Sequence, residues 1–336
     1  MKAVVIGAGH MGRYHAGKLA ACKGVELAGV VDADPARAAE LATKHGCPVF
    51  SNYRQIPEKV DAAVIAVPTD RHHEVGMACL ERGMHVLVEK PIATTAEQAD
   101  ELIAMAERRR LVLQVGHVER YSKAFSALAA RMDRPVFIEA ERLSGFKQRG
   151  AEVDVVLDLM IHDLDLAAAL TRAEVLDLSA CGFRVLTGDI DIANARIEFA
   201  NGCVANLSAS RVSQSAVRKL RVFQSDLYVS ADLQAGTLRY VRQSAGTIEQ
   251  TEERYEGGDA LAAQAAAFVA AVRGEAPVRL DGREGRIAQE FPGKSQVFTG
   301  AQGRFQRLPV SHVMQAFGEG ALVLGSAGVV VVGRSG

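Results

Sequence analysis

The 336 residues predict an α/β chain in two parts: an N-terminal doubly wound parallel sheet and a C-terminal α+β domain with an open-faced, mostly antiparallel sheet. Three observations carry this reading. Up to about residue 118, short Val/Ile/Leu runs without polar alternation recur between helix-like stretches, as in parallel strands covered on both faces. A glycine-rich turn, Gly7-Ala8-Gly9-His10-Met11-Gly12, separates the first such run from the first helical stretch. From about 174 to 255 the runs lengthen and alternate, the pattern of a sheet with one face covered and one available.

Taken in order, the strand candidates of the first part are 2–6, 25–31, 62–67, 85–88 and 111–115. Helical spacing occupies 11–21, 35–45, 71–82 and 95–109. Pro35 sits in a first turn, where proline is tolerated, and Gly46 and Gly83 fall where helices stop. Repeated strand–helix units of this kind give a parallel sheet. In the second part, 191–199 and 203–210 flank Asn201-Gly202, a strong hairpin signal. Helices are expected at 154–170 and 259–273. The expected domains are therefore 1–118, 119–290 and an atypical Gly-rich tail over 291–336.

Composition narrows the function classes. Length alone suggests about two domains. The chain is 49% hydrophobic, enough for packed cores, and 39 Lys+Arg against 40 Asp+Glu leave a net charge of -1. Nucleic-acid and anionic-membrane partners are not expected of so balanced a chain. The five scattered cysteines contain no CxxC pair and read as reduced thiols, neither a disulfide framework nor a zinc site. Met1-Lys2 runs straight into the first strand, and no apolar run reaches the ~18 residues of a membrane span. A cytoplasmic protein is expected.

The glycine turn matches GxGxxG in the context that gives the pattern meaning, after a strand and opening a helix. Its glycines permit a tight turn and close backbone approach, so that a pyrophosphate can sit on the helix N-terminus. Gly7, Gly9, His10, Met11 and Gly12 are the expected contacts of this Rossmann-type site. Asp32 ends the second strand 20 residues past Gly12, where a carboxylate can accept from a ribose 2′-hydroxyl. That favours NAD, while nearby Arg37 leaves NADP possible.

Two further tracts carry chemistry. Glu89-Lys90-Pro91 closes a parallel strand at the carboxyl end, where ligands of such sheets bind. Asp158, His162 and Asp165 fall at i, i+4 and i+7 of an otherwise apolar helix, one narrow polar stripe that must face a cavity or paired groups. A surface lysine and an internally satisfied Asp–His pair are the plain alternatives.

Together these motifs resemble the glucose–fructose oxidoreductase / inositol dehydrogenase (Gfo/Idh/MocA) family, over residues 1 to about 290. Val67-Pro68-Thr69-Asp70-Arg71-His72 and Gly116-His117-Val118-Glu119-Arg120-Tyr121 match as well. The resemblance implies an NAD(P)-dependent dehydrogenase acting on a CH–OH group of a sugar or nucleotide sugar. It implies Lys90, Asp158 and His162 as the catalytic set. Pro68, Thr69, His72, Glu89 and Lys90 would join the glycine turn, Asp32 and Arg37 at the cofactor. Lys90, His117, Arg120, His162 and Asp165 would contact substrate, and the C-terminal sheet would mediate a homodimer or homotetramer. Tracts 153–165, 191–206 and 210–213 are most similar to family members oxidising the 3-hydroxyl of UDP-N-acetylglucosamine. Those make a 3-keto sugar that an aminotransferase converts for lipid A.

With that substrate, His162 is the expected acid/base because an imidazole titrates near neutrality. Asp158 would orient it and Lys90 would stabilise charge on the reacting oxygen. A diphosphate also needs cationic donors, with Arg142, Lys147, Arg149, Arg211, Arg218, Lys219 and Arg221 as candidates. The rival readings are an inositol or other polyol dehydrogenase, and a non-catalytic NAD(P)-binding sensor. The tail departs from the family: Asp281-Gly-Arg-Glu284 opens a helix that Phe291-Pro292-Gly293 should stop, and 321–333 could be a strand, a hydrophobic flap or unrelated sequence.

Overall fold

The computed structural model describes residues 1–146, 154–244, 246–287, 297–301, 304–308 and 329–332. The chain forms two compact units. Met1–Tyr121 with Asp259–Arg286 makes the first, and Ser122–Gly258 with the described residues from Ile287 onward makes the second.

In the first unit, β1 (Lys2–Ile6), α1 (His10–Ala21), β2 (Glu26–Val31), α2 (Pro35–His45) and β3 (Val49–Phe50) are followed by β4 (Ala62–Ile65) and α3 (His72–Glu81). Then come β5 (His85–Val88), α4 (Ala96–Arg109) and β6 (Leu113–Val115). The sheet order β3-β2-β1-β4-β5-β6, all pairs parallel, reverses direction beside β1, and the glycine turn lies at that switch point. Local chemistry sets the helix ends as the sequence predicts. The Asp34 carboxylate accepts the Ala36 and Arg37 amides ahead of Pro35, and Gly46 closes α2 with a left-handed φ of 62°.

The second unit opens with α5 (Lys123–Ala129) and β7 (Phe137–Leu143). A π-helical turn over Val156–Met160 leads into α6 (Ile161–Thr171). Next are β8 (Val175–Phe183), β9 (Ile192–Phe199), β10 (Val204–Ser210), β11 (Val217–Gln224), β12 (Leu227–Asp232), β13 (Thr237–Ser244) and β14 (Thr247–Arg254). Among its described strands only β7 and β10 pair in parallel, so the sheet is mostly antiparallel. Asn201-Gly202 makes the predicted turn between β9 and β10, with Gly202 at φ 83°. Alternation sorts the faces: Ile138, Ala140, Leu207, Leu220 and Val222 join Leu128 and Leu166 in a core, while Phe137, Glu139 and Glu141 lie on the other face, partly exposed.

The chain then returns to the first unit through α7 (Ala260–Val272) and α8 (Gly282–Ile287). This differs from a contiguous second domain over 119–290. Phe268 and Val269 complete a buried cluster with Leu19, Leu27 and Leu87, and apolar helix residues do not reveal in sequence which sheet they cover. The capping box forms: Asp281 Oδ1 accepts the Glu284 amide at 2.9 Å and Glu284 Oε2 accepts the Asp281 amide at 3.4 Å. The expected stop at Phe291-Pro292-Gly293 lies outside the described residues. Beyond it, β15 (Val297–Ala301), β16 (Arg304–Leu308) and β17 (Val329–Val332) extend the second sheet past β8. Of the 321–333 stretch, only Val329–Val332 are thus placed, as a strand. No described helix is long and apolar enough to cross a membrane.

Candidate active site

The glycine turn is built by sterics. Gly7 has φ 99°, and a Cβ there would lie 2.4 Å from the Ala66 carbonyl oxygen. A Cβ on Gly12 would lie 1.7 Å from the Gly7 carbonyl oxygen, so both positions require glycine. Gly9 is different, because a Cβ there would meet nothing within 4 Å. Its bare backbone faces open space at the N-cap of α1, where first-turn amides have no acceptor within the helix. His10 is exposed and stacks edge-on against Tyr14, and Met11 is half-buried.

Asp32 locks this turn to the next strand. Its Oδ2 accepts the Ala8 amide at 2.7 Å, and its Oδ1 accepts the Asp34 amide at 2.8 Å and the Arg37 guanidinium at 3.0 Å. Burial alone would raise the carboxyl pKa; the two amides and Arg37 outweigh it and hold Asp32 below the usual range. A cleft of about 650 Å³ opens over this arrangement, lined by Gly7, Gly9, Asp32, Arg37, Val67 and Pro68 among others. Its polar groups suit a dinucleotide: glycine backbone and helix N-terminal amides to donate to pyrophosphate, and a fixed carboxylate to accept from ribose.

Other expected cofactor residues have distinct placements. Pro68 is exposed at the cleft wall, and Thr69 starts a 3-10 turn over Thr69–Arg71. His72 is buried, with Nδ1 2.8 Å from the Pro91 carbonyl oxygen and Nε2 3.0 Å from that of Val67. Burial pushes its pKa down, against the two carbonyls and the charges of Glu89 and Asp70. A neutral ring has one N–H, so His72 donates to one of these carbonyls and lies against the other, wedged between two backbone segments. Glu89 is likewise turned inward, where His15 Nε2 donates to its Oε1 at 2.7 Å. Lys90 is half-buried beyond β5, and the Lys90–Pro91 peptide is cis. Past β6, His117 and Arg120 are buried; Arg120 Nη1 lies 3.5 Å from Glu284 Oε1 and its carbonyl accepts from Arg279.

In the second unit, His162 and Asp165 lie on α6, and Asp158 lies in the π turn before it. The single α-helical stripe expected from spacing is therefore interrupted, since a π turn is wider and its bonds run i to i+5. Asp165 is buried, and Asp158 and His162 are partly so. Beside them, Arg142 from β7 holds Asp163 through two parallel bonds of 3.0 and 2.9 Å, both side chains buried. Asp191 accepts the amides of Val185, Leu186 and Thr187 and the Thr187 hydroxyl. Burial raises its pKa, and these donors bring it down to about 2. Arg211 Nε stands 3.6 Å from Asp191, and Arg211 donates to the Ile190 carbonyl, which also accepts the Val155 amide ahead of the π turn.

Residues 1–117 match the profile of an oxidoreductase family with an NAD-binding Rossmann fold, and residues 127–227 match the GFO/IDH/MocA C-terminal domain. Over 293 residues the chain is 42% identical to the UDP-N-acetylglucosamine 3-dehydrogenase of Acidithiobacillus ferrooxidans, covering 85% of this chain and 93% of that one. The chain belongs to the Gfo/Idh/MocA oxidoreductase family. A crystal structure of the Acidithiobacillus enzyme superposes with a TM-score of 0.82 at 41% identity, covering 86% of this chain and 94% of that one. The scyllo-inositol 2-dehydrogenase (NAD(+)) of Bacillus subtilis is 29% identical over 63% of this chain and 68% of its own length.

As a Gfo/Idh/MocA protein the chain binds NAD through its Rossmann unit. That unit brings together the glycine turn, Asp32, Arg37 and Pro68 around one cleft. Several expected diphosphate donors are committed elsewhere: Arg142 to Asp163, Arg211 to Ile190, and Arg221 to Glu139 and Glu141. Arg218 and Lys219 lie on β11, while Lys147 and Arg149 lie outside the described residues. Sequence reasoning missed His15, Asp163 and Asp191. His15 offers only a histidine in a helix three residues past Gly12, and its partner Glu89 is 74 positions away.

Proposed function

We propose that the chain is an NAD-dependent dehydrogenase that oxidises the 3-hydroxyl of UDP-N-acetylglucosamine to a ketone. The observation that carries this is the 42% identity to an enzyme of that name over nearly its whole length, against 29% over a shorter span for an inositol dehydrogenase. NAD, held through its pyrophosphate at Gly7–Gly12, would supply the hydride acceptor. His162 takes the proton of the reacting hydroxyl and Asp158 holds the imidazole in the accepting tautomer. Lys90 donates to the same oxygen and stabilises its developing negative charge. Asp165, His117 and Arg120 contact the sugar. The 3-keto product is a substrate for amination, consistent with a role in lipid A carrying amide-linked chains.

The second unit supports a further part of this reading, a homodimer or homotetramer through its open sheet face. Phe137, Phe223 and Tyr228 stack there at centroid distances of 5.9 and 4.7 Å, beside Arg221 with Glu139 and Glu141. Scattered free cysteines fit a reducing cytoplasm. The test is NADH formation with UDP-N-acetylglucosamine and with inositol, followed by absorbance. His162→Ala should lower kcat by about a thousandfold, within the range for a lost general base. Lys90→Met should lower kcat with little change in NAD affinity. Turnover near wild type in His162→Ala removes that residue from the chemistry, and oxidation of inositol alone replaces the substrate.

A further inference from the structure

The segment that carries Lys90 is held at both ends by buried histidines. On its N-terminal side Glu89 is 7% exposed and its Oε1 accepts from His15 Nε2 at 2.7 Å. His15 is 1% exposed and stands on α1, the helix that rises from the glycine turn. The other carboxylate oxygen, Oε2, accepts the Lys90 amide at 3.3 Å, so Glu89 ties α1 to the Lys90 backbone. A third side is closed by Gly116, where a Cβ would stand only 3.0 Å from Glu89 Cα.

On the C-terminal side His72, 1% exposed, reaches the Pro91 carbonyl with Nδ1 and the Val67 carbonyl with Nε2. Val67 is a wall of the cofactor cleft. A neutral ring donates from one nitrogen only, whereas the imidazolium donates from both, and an apolar side chain of similar size from neither. His15 thus joins the α1 start to one neighbour of Lys90, and His72 is wedged between the Val67 wall and the other, within 3.0 Å of both carbonyls and donating to one of them. Buried polar links of this kind fix a single geometry because leaving one member unsatisfied is costly.

We propose that His15 and His72 are positioning residues for Lys90, clamping the Glu89-Lys90-Pro91 segment between the two walls of the NAD cleft. The inference rests on the reading that Lys90 contacts the reacting oxygen. A displacement of ~1 Å at such a contact can cost about a hundredfold in rate. The clamp therefore acts on turnover, with cofactor binding left largely intact.

The test uses the full chain with His15→Leu, His72→Leu, His15→Gln and His72→Gln. Measured are kcat and KM for UDP-N-acetylglucosamine, NAD affinity by fluorescence titration, and the pH dependence of Lys90 acetylation by acetic anhydride, read by mass spectrometry. The leucine variants should lower kcat tenfold or more, with NAD affinity within threefold of wild type. Glutamine, which keeps an N–H donor, should restore at least threefold of that loss. The Lys90 acetylation midpoint should move in the leucine variants while that of exposed Lys59 stays fixed. If the leucine variants do not fold, the glutamine pair is read alone, with a threefold drop in kcat and a moved Lys90 midpoint expected. Unchanged kcat and an unchanged Lys90 profile in folded variants overturn the proposal. Equal losses of kcat and NAD affinity overturn it too, because they make the histidines cofactor ligands. A wild type inactive on UDP-N-acetylglucosamine defeats the substrate reading alone, and the acetylation profile still decides the clamp.

Discussion

Asp32 shows how one side chain can serve fold and ligand together. Its two oxygens take the Ala8 and Asp34 amides and the Arg37 guanidinium, leaving one acceptor position of about four for a ribose hydroxyl. The charge stays in the cleft because the glycine turn itself holds it there, which disfavours a 2′-phosphate. Asp32→Ser should weaken NAD about tenfold or more, as expected for a lost hydrogen bond to a charged group. The same change should narrow the preference for NAD over NADP, since Arg37, then held only by Asp34 at 3.5 Å, can turn to a phosphate. Parallel titrations of the two cofactors check both outcomes, and an unchanged NAD:NADP ratio would remove Asp32 from cofactor selection.

At the scale of elements, the entry to the helix bearing His162 depends on Asp154. Its Oδ1 accepts the Val156 amide at 2.8 Å at the start of the π turn. Burial pushes its pKa up to about 6, against the Val156 amide and the positive charges of Arg211 and Arg184. The folded state therefore keeps this proton to about pH 6, whereas the unfolded chain releases it near 3.8, so stability falls as pH rises between those values. Asparagine keeps the acceptor and removes the charge. Asp154→Asn should match wild type in urea denaturation at pH 4 and exceed it above pH 6 by on the order of 2–3 kcal/mol. A gap that does not change between pH 4 and 7 would show that Asp154 ionisation is not the cause. The π turn itself was illegible in sequence, because the apolar spacing of 154–170 fits an ordinary α-helix and the extra width arises only when the turn docks.

At the scale of the whole molecule, the cofactor-binding unit is discontinuous. Phe268 comes from α7, far along the chain, yet is fully buried against Leu19 and Leu87 of the NAD-binding sheet layer. Phe268→Ala should lower the stability of that unit by about 3–5 kcal/mol, the usual cost of an emptied aromatic site. Hydrogen exchange should then rise through residues 1–121 and 259–286 together, while β9 and β10 keep their protection. NAD at a hundred times its dissociation constant should restore about 2.7 kcal/mol of the loss. Exchange rising in α7 alone would show the helix to be peripheral.

Much of this protein was legible in the chain itself. Local rules fixed the glycine turn, Pro35 in the first turn of α2, the Asn201-Gly202 hairpin and the Asp281–Glu284 capping box, because each depends on residues within a few positions of one another. Spacing also drew out Asp32, which lines the cleft, and Glu89-Lys90-Pro91, which directly follows β5. What the sequence left open depends on partners distant in the chain: His15 with Glu89, Arg142 with Asp163, Asp191 with Arg211, and the return of α7 to the first sheet. A buried charge or histidine cannot be told from an exposed one until folding decides which groups lose water. Only then does Arg142 turn from a candidate phosphate ligand into the counter-ion of Asp163, and only then is His72 seen buried between the Val67 and Pro91 carbonyls.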